Sequence, residues 1–292
     1  MISQVSISDL IKEKRPNLNE KSIKTYTSIL KTISKDLGLK NVKDFNKTKQ
    51  ILEYLKDMPG SVRKTRLSAL LVITGNNEFK EQMLKDINNY NKDKKNGNKN
   101  EKETNAWMTK EEIQKIFNSL KKRASVNYKK GDLKMKELQE IQDFVMLALF
   151  TLIPPRRALD FTEMKIKNID TEKDNFIKNK TMVFNIYKTS KTKGQDKIEI
   201  PKELKLILNK WLRVNPTEYL LFDSKGNKLS SVKVNQRFHK IMNKPKFSVN
   251  MFRKVFLTDK YKDTVKKMKD LEDDLEDMGS STKQIQHYVK LD

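Results

Sequence analysis

The sequence has no cysteine and only two histidines, His239 and His287. Without thiols there is neither a disulfide framework nor a thiolate zinc site, and two imidazoles leave little for metal ligation or histidine acid–base chemistry. No metal and no cofactor is expected. Acidic residues are also short, with Asp and Glu totalling 38 against 62 Lys and Arg, for a formal net charge of +24. That imbalance is the electrostatic footprint of a polyanion binder and puts nucleic acid first among partners. The abundance of Lys, Asn and Ile, typical of an AT-rich coding sequence, discounts it only in part. Long apolar runs are missing too: the longest stops at Pro154-Pro155, too short for a bilayer. The N-terminus lacks the pattern of a secretory signal. The expectation is an intracellular protein, not secreted and not in a membrane. There is no internal repeat and no phosphate-binding glycine loop.

What is present is mostly helical patterning. Ile23, Tyr26, Leu30, Ile33 and Leu37 recur at steps of three and four and stop at Gly38, a helix and its C-terminal residue. Phe45, Ile51, Leu52 and Leu55 suggest a second helix ending before Pro59-Gly60. Val62, Leu67, Leu70 and Leu71 suggest a third ending near Gly75, and Phe79 to Ile87 a fourth. Residues 1–95 therefore read as an all-helical domain. Its polar faces carry Lys24, Tyr26, Arg63, Lys64 and Arg66, which suit a nucleic-acid backbone and equally suit an ordinary solvated face. The segment 91–105 combines Asn, Gly and mixed charge, and from 91 to 104 no residue is apolar, so it reads as a linker.

A second domain is expected over 106–292. Thr109 and Glu112 form a capping-box pattern at its start. The apolar run from Phe144 then delivers Arg156 and Arg157 just past the two prolines. An arginine fork never deprotonates and matches phosphate geometry; from this stretch alone, two arginines covering a helix end is the competing reading. Beyond it the period becomes alternating at Met182, Phe184 and Ile186, a small antiparallel sheet, and the loop KTSKTKGQDK displays several lysines before a helix from Lys202 to Leu212. Tyr219 to Phe222 is either a short buried strand or an extended segment. Later helices are marked by Val234, Phe238 and Ile241 and by SVNMFRKVFLTDKY with Ser248 as N-cap, and Val265, Met268, Leu271, Leu275 and Met278 continue the helical spacing to Gly279. A capping box at Ser281 and Gln284 opens a short last helix bearing Tyr288. The fold class is α+β, mainly α with one small antiparallel sheet.

An arginine after a core helix, a lysine in a hairpin, a second arginine on a late helix and a tyrosine near the end resembles the tyrosine recombinase, or phage-type integrase, family. RALDFTEMKIKNID keeps that family's register after its first catalytic arginine, which selects Arg157 over Arg156, with Asp160 at the usual acidic position. SKTKGQDKIEIP resembles the lysine hairpin, most simply with Lys191 as the catalytic lysine and with Lys188 and Lys193 as alternatives. NMFR resembles the HxxR box, giving Arg253, and MGSSTKQIQHY resembles the segment before the nucleophile, giving Tyr288. Two departures stand out: Asn250 occupies the first histidine position, and the second histidine is missing, Gly279 or Ser280 standing there. By sequence neither His239 nor His287 fills the gap.

The resemblance implies a DNA core-binding domain followed by a catalytic domain, double-stranded DNA as partner, and a homo-oligomer on DNA, usually a tetramer. It implies cleavage by Tyr288 through a 3′-phosphotyrosine intermediate. Arg157 and Arg253 clamp the phosphate, Lys191 protonates the leaving oxygen and Asn250 donates a hydrogen bond. Arg156, Lys188 and Lys193 join the DNA contacts. Such a protein of a mobile element or virus works in a prokaryotic cytoplasm, a host nucleus or a viral factory. The alternatives are a type IB topoisomerase-like enzyme and a recombinase-derived DNA-binding protein that has lost catalysis with its histidines.

Overall fold

The computed structural model describes residues 4–95, 97, 99–282, 285 and 289, of which 4–6 and 93–95 are given by backbone alone. The chain divides into two compact units, Met1–Asn98 and Lys99–Asp292.

The first unit is all helical: α1 Gln4–Lys14, α2 Glu20–Asp36, a 3-10 turn Val42–Asn46, α3 Thr48–Leu55, α4 Gly60–Thr74 and α5 Asn77–Lys95. Local chemistry sets the boundaries. The Ser22 N–H donates to Asn19 Oδ1 at 2.8 Å and opens α2. Gly75, at φ +68, ends α4 in the left-handed region that a side chain disfavours. Ile23, Leu30, Phe45, Leu67 and Phe79 are buried in its core, at the positions the helical period marks.

In the second unit α6 is Glu101–Ala106, α7 Lys110–Asn127, α8 Met135–Thr151, α9 Ala158–Thr162, β1 Met164–Lys165, β2 Asn175–Lys178 and β3 Thr181–Phe184. There follow α10 Ser190–Lys193, β4 Asp196–Glu199, α11 Lys202–Val214, α12 Ser231–Ile241 and α13 Val249–Asp277. Helix forms even inside the polar stretch 91–104, through capping rather than burial: Glu103 N–H donates to Asn100 Oδ1 at 2.9 Å. The expected box at Thr109 opens α7, with Thr109 N–H on Glu112 Oε2 at 2.7 Å and Glu112 N–H on Thr109 Oγ1 at 3.2 Å.

Every residue of α8 from Phe144 to Phe150 is buried, so this helix is the axis of the unit. It ends at Thr151, because Pro154 and Pro155 cannot continue a hydrogen-bonded turn. The sheet runs β1-β2-β3-β4; β2–β3 and β3–β4 are antiparallel as expected, whereas β1 adds a short parallel edge. Met182 and Phe184 are buried, but so is Val183, while Ile186 is 36% exposed. Strand β3 is covered on both faces, which a two-residue period cannot reveal.

Tyr219–Phe222 is extended, and side chains complete its hydrogen bonding. The Phe222 N–H donates to Gln142 Oε1 at 2.8 Å, Gln142 Nε2 to Phe222 O at 2.9 Å, and Trp211 Nε1 to Leu220 O at 2.9 Å. Ser248 stands at the N-cap of α13, but the capping acceptor is Asn235 Oδ1, 3.0 Å from Val249 N. The helical spacing expected to run on from the segment at Ser248 through Val265 and Met278 is one helix, closed by Gly279 at φ +65. Among the described residues no helix is long and apolar enough to cross a membrane. The fold is α+β, mainly helical with one small sheet.

Candidate active site

Phe150, near the C-terminal end of α8, sits among rings from three other helices. Its centroid lies 5.1 Å from Phe161 on α9, 5.1 Å from Phe238 on α12 and 5.7 Å from Phe252 on α13, and Phe161 lies 6.2 Å from Phe184 on β3. Edge-on and offset ring packing of this kind is directional as well as apolar. It fixes α9 and α13, and so the two arginines those elements carry: Arg157 caps the start of α9 and Arg253 follows Phe252.

Both arginines line one cavity of about 540 Å³, with Ile153, Pro154 and Pro155 on one side and the β3–β4 connection, through Tyr187, Thr189, Lys193 and Gln195, on the other. The side chains of Arg157, Arg253 and Lys193 make no hydrogen bond or ion pair to any described residue. Three cationic groups from three different elements thus face one solvent-accessible hollow with their donors unspent, a setting that favours an oxyanion such as phosphate.

Arg156, next to Arg157 and lining the same cavity, is differently occupied. Its Nε donates to Asp160 Oδ2 and its Nη1 to Asp196 Oδ2, each at 2.7 Å, and its guanidinium lies 4.0 Å from the Phe184 ring centroid. It ties α9 to β3 and β4, and the DNA contact expected of it has to compete with two carboxylates. Asp160 is buried, and burial raises its carboxyl above the ordinary value while Arg156 and then Arg157 pull it back.

A second tie is Asn175, wholly buried at the start of β2. Its Nδ2 donates to Asp160 O at 2.9 Å and Ile186 O at 2.8 Å, and its Oδ1 accepts from the Asn185 and Ile186 N–H groups at 2.8 and 2.7 Å. Neither Asn175 nor Asp196 was singled out from sequence. The one available signal was an asparagine where a strand disfavours it.

All three candidate lysines are exposed; Lys193 is on the cavity wall, and Lys188 and Lys191 are not. The intervening segment is not a plain strand tip. It carries the short helix α10, whose turn separates Lys191 from Lys193 by roughly 200° about the axis. Asn250 is exposed in the first turn of α13 and does not line the cavity. Tyr288, the capping box at Ser281 and Gln284, and the last helix they define lie outside the described residues, wholly or in part.

In the first unit the proposed DNA contacts fall into two groups. Lys24 is exposed on α2, and Tyr26, half-buried, packs on the core. The others have intramolecular partners. Arg63 donates from Nε to Asp86 Oδ2 at 2.8 Å and from Nη2 to Asp86 Oδ1 at 2.5 Å, and the carboxylate is buried. Lys64 lies 4.1 Å from the Tyr90 ring centroid, and Arg66 donates to Tyr54 Oη at 3.2 Å. The guanidinium of Arg63 is a structural group: Asp86, on another helix, was invisible to a reading that scored each helix face separately.

No curated protein matches the chain in sequence. A solved structure described as the crystal structure of XerA recombinase is similar over 88% of this chain and 84% of that one, at 10% identity and a TM-score of 0.37. The phage integrase family model matches residues 106–269, more than half of the chain, a span that holds α8, the β3–β4 connection, Arg157, Lys193 and Arg253. On that match the chain belongs to the phage integrase family, the tyrosine recombinases.

Proposed function

We propose that the protein is a site-specific DNA recombinase that cuts and rejoins DNA through a 3′-phosphotyrosine intermediate and works on double-stranded DNA as a homo-oligomer. The observation that carries this reading is the convergence of two arginines, from the start of α9 and from α13, on one cavity with Lys193, their side chains making no hydrogen bond or ion pair to any described residue. Family membership supplies DNA as the partner.

The chemistry follows from the charges. The Tyr288 oxygen attacks the phosphorus, forming a new P–O bond as the bond to the 5′ oxygen breaks. Energy stored in the phosphotyrosine lets another 5′ hydroxyl reverse the step, so no nucleotide is consumed. Negative charge on the non-bridging oxygens grows on the way, and Arg157 and Arg253 stabilise it, each by about 3 kcal/mol in line with oxyanion donors generally. Lys193 hands the departing 5′ oxygen its proton; Lys191 held that role on sequence alone, and the cavity wall favours its neighbour on α10. Asn250 can donate a hydrogen bond but cannot relay a proton, so the phenol proton leaves to solvent and turnover is slow. In this reading residues 106–292 form the catalytic domain and 1–95 bind DNA through Lys24 and Tyr26, with Lys64 and Arg66 joining as they exchange their aromatic partners for phosphate.

The test is covalent trapping on a nicked suicide substrate. Arg157→Ala and Arg253→Ala should each lower the rate of adduct formation about 10²-fold or more. Tight binding with no adduct on any DNA sequence tried would instead favour a DNA-binding relative without catalysis.

A further inference from the structure

Helix α13 is much longer than the site requires. Arg253 lies in its second turn, yet the helix continues to Asp277, and every residue from Leu257 to Met268 is exposed. A helix exposed all round is only marginally stable by itself in water, and this one is not polar all round. Leu257, Tyr261, Val265 and Met268 are 53%, 39%, 51% and 57% exposed.

These residues are ordered as a seam. Taking Tyr261 as position a of a heptad, the a positions that follow are Met268 and Leu275, and the d positions are Leu257, Thr264, Leu271 and Met278. Only Thr264 departs from apolar character across three heptads, with Val265 beside it at e. That is the signature of a two-helix coiled coil.

Charge decides the direction of the partner. Residues 260–269 hold Lys260, Lys262, Lys266, Lys267 and Lys269 against the single Asp263, whereas residues 270–277 hold Asp270, Glu272, Asp273, Asp274, Glu276 and Asp277 with no cation. A parallel copy sets like against like along the whole seam. An antiparallel copy sets the basic half against the acidic half twice.

We infer that α13 is a self-association surface that pairs antiparallel with α13 of a second copy, about a two-fold axis near Lys266. This inference does not depend on the catalytic reading. The register is self-consistent, as an isologous interface demands. A dyad at residue 266 places Tyr261 of one copy against Leu271 of the other and Thr264 against Met268, while Lys260 at g meets Asp274 and Val265 at e meets its own mate. The one unfavourable approach is Lys267 near its mate, at a flank open to water. The outer layer, Leu257 against Leu275, requires Leu275, which is buried in the single chain, to be uncovered, and the Tyr261 layer requires the half-buried Leu271 to be freed in part; the Thr264–Met268 layers beside the axis are already exposed.

The sequence has no cysteine, so a single introduced thiol reports on one position alone. In the full chain without DNA, sedimentation should give twice the chain mass, returning to the chain mass in Met268→Glu, a substitution at an exposed site that leaves the fold intact. Under mild oxidation Val265→Cys should cross-link to a covalent dimer, its two sulfurs meeting across the axis. Leu257→Cys should not, because its mates lie roughly 27 Å apart at 1.5 Å per residue. A monomeric wild-type chain overturns the inference. So does cross-linking of both variants, which indicates a parallel pair, or a dimer that cross-links at neither position and persists in Met268→Glu, which indicates another surface.

Discussion

Arg156 and Arg157 are neighbours in sequence, and two carboxylates distinguish them. Arg156 is held by Asp160 and Asp196 and lies over Phe184; Arg157 has no hydrogen-bond or ion-pair partner among the described residues. Removing one member of a buried pair strands the other, at a cost of about 3–5 kcal/mol. Arg156→Ala should therefore lower the urea midpoint markedly, and Arg157→Ala should leave it nearly unchanged while strongly slowing cleavage. Equal stability losses would contradict this difference between the two arginines. A pH effect belongs to the first unit. Asp44 accepts from the backbone N–H of Asn41, from Lys47 and from the N–H of Lys40, and these hold its carboxyl down from the ordinary 3.8 to about 2. A depressed folded value means that the unfolded chain binds the proton first as pH falls. The Asp44 contribution is thus complete above pH 3.8 and lost between there and about 2. Urea midpoints of Asp44→Asn measured across that interval should fall less steeply than those of the parent chain.

At the scale of elements, what the sequence displays depends on whether a residue's role is local. Helices α2 and α4 were legible from their apolar period and the glycines that follow them, Gly38 and Gly75, and α7 from its apolar period and the capping box at Thr109, because all these signals lie within a few positions. The box around Arg157 was legible as a contiguous run. By contrast, the Asn175 tie joins β2 to α9 and to the segment after β3, and Gln142 completes the backbone of a segment 80 residues away. No spacing rule carries such pairings. The β3–β4 connection was half legible: its lysines could be counted, but the turn of α10 that separates Lys191 from Lys193 could not. A leaving-group test discriminates between them. A DNA substrate whose bridging 5′ oxygen is replaced by sulfur releases a thiolate that needs no acid. Lys193→Ala should be slow on ordinary DNA and restored on the sulfur substrate, with Lys191→Ala close to the parent on both. The opposite ranking would return the role to Lys191.

For the whole molecule, the net charge of +24 sets the terms of binding. Lysines and arginines that neutralise phosphates release condensed counterions, so affinity should fall steeply and linearly in log–log form with salt, by ~10³-fold or more between 50 and 200 mM if six or more phosphates are contacted. An affinity indifferent to salt would contradict DNA binding by this surface. We propose that the cavity between α9, the β3–β4 connection and α13 acts on a phosphodiester that becomes joined to Tyr288. The most direct measurement is a denaturing gel of protein incubated with nicked DNA, with Tyr288→Phe run beside it. A covalent protein–DNA band should be present in the parent chain, absent in Tyr288→Phe and strongly reduced in Arg157→Ala and Arg253→Ala. A band that survives in Tyr288→Phe, or that forms equally well without either arginine, would contradict the proposal.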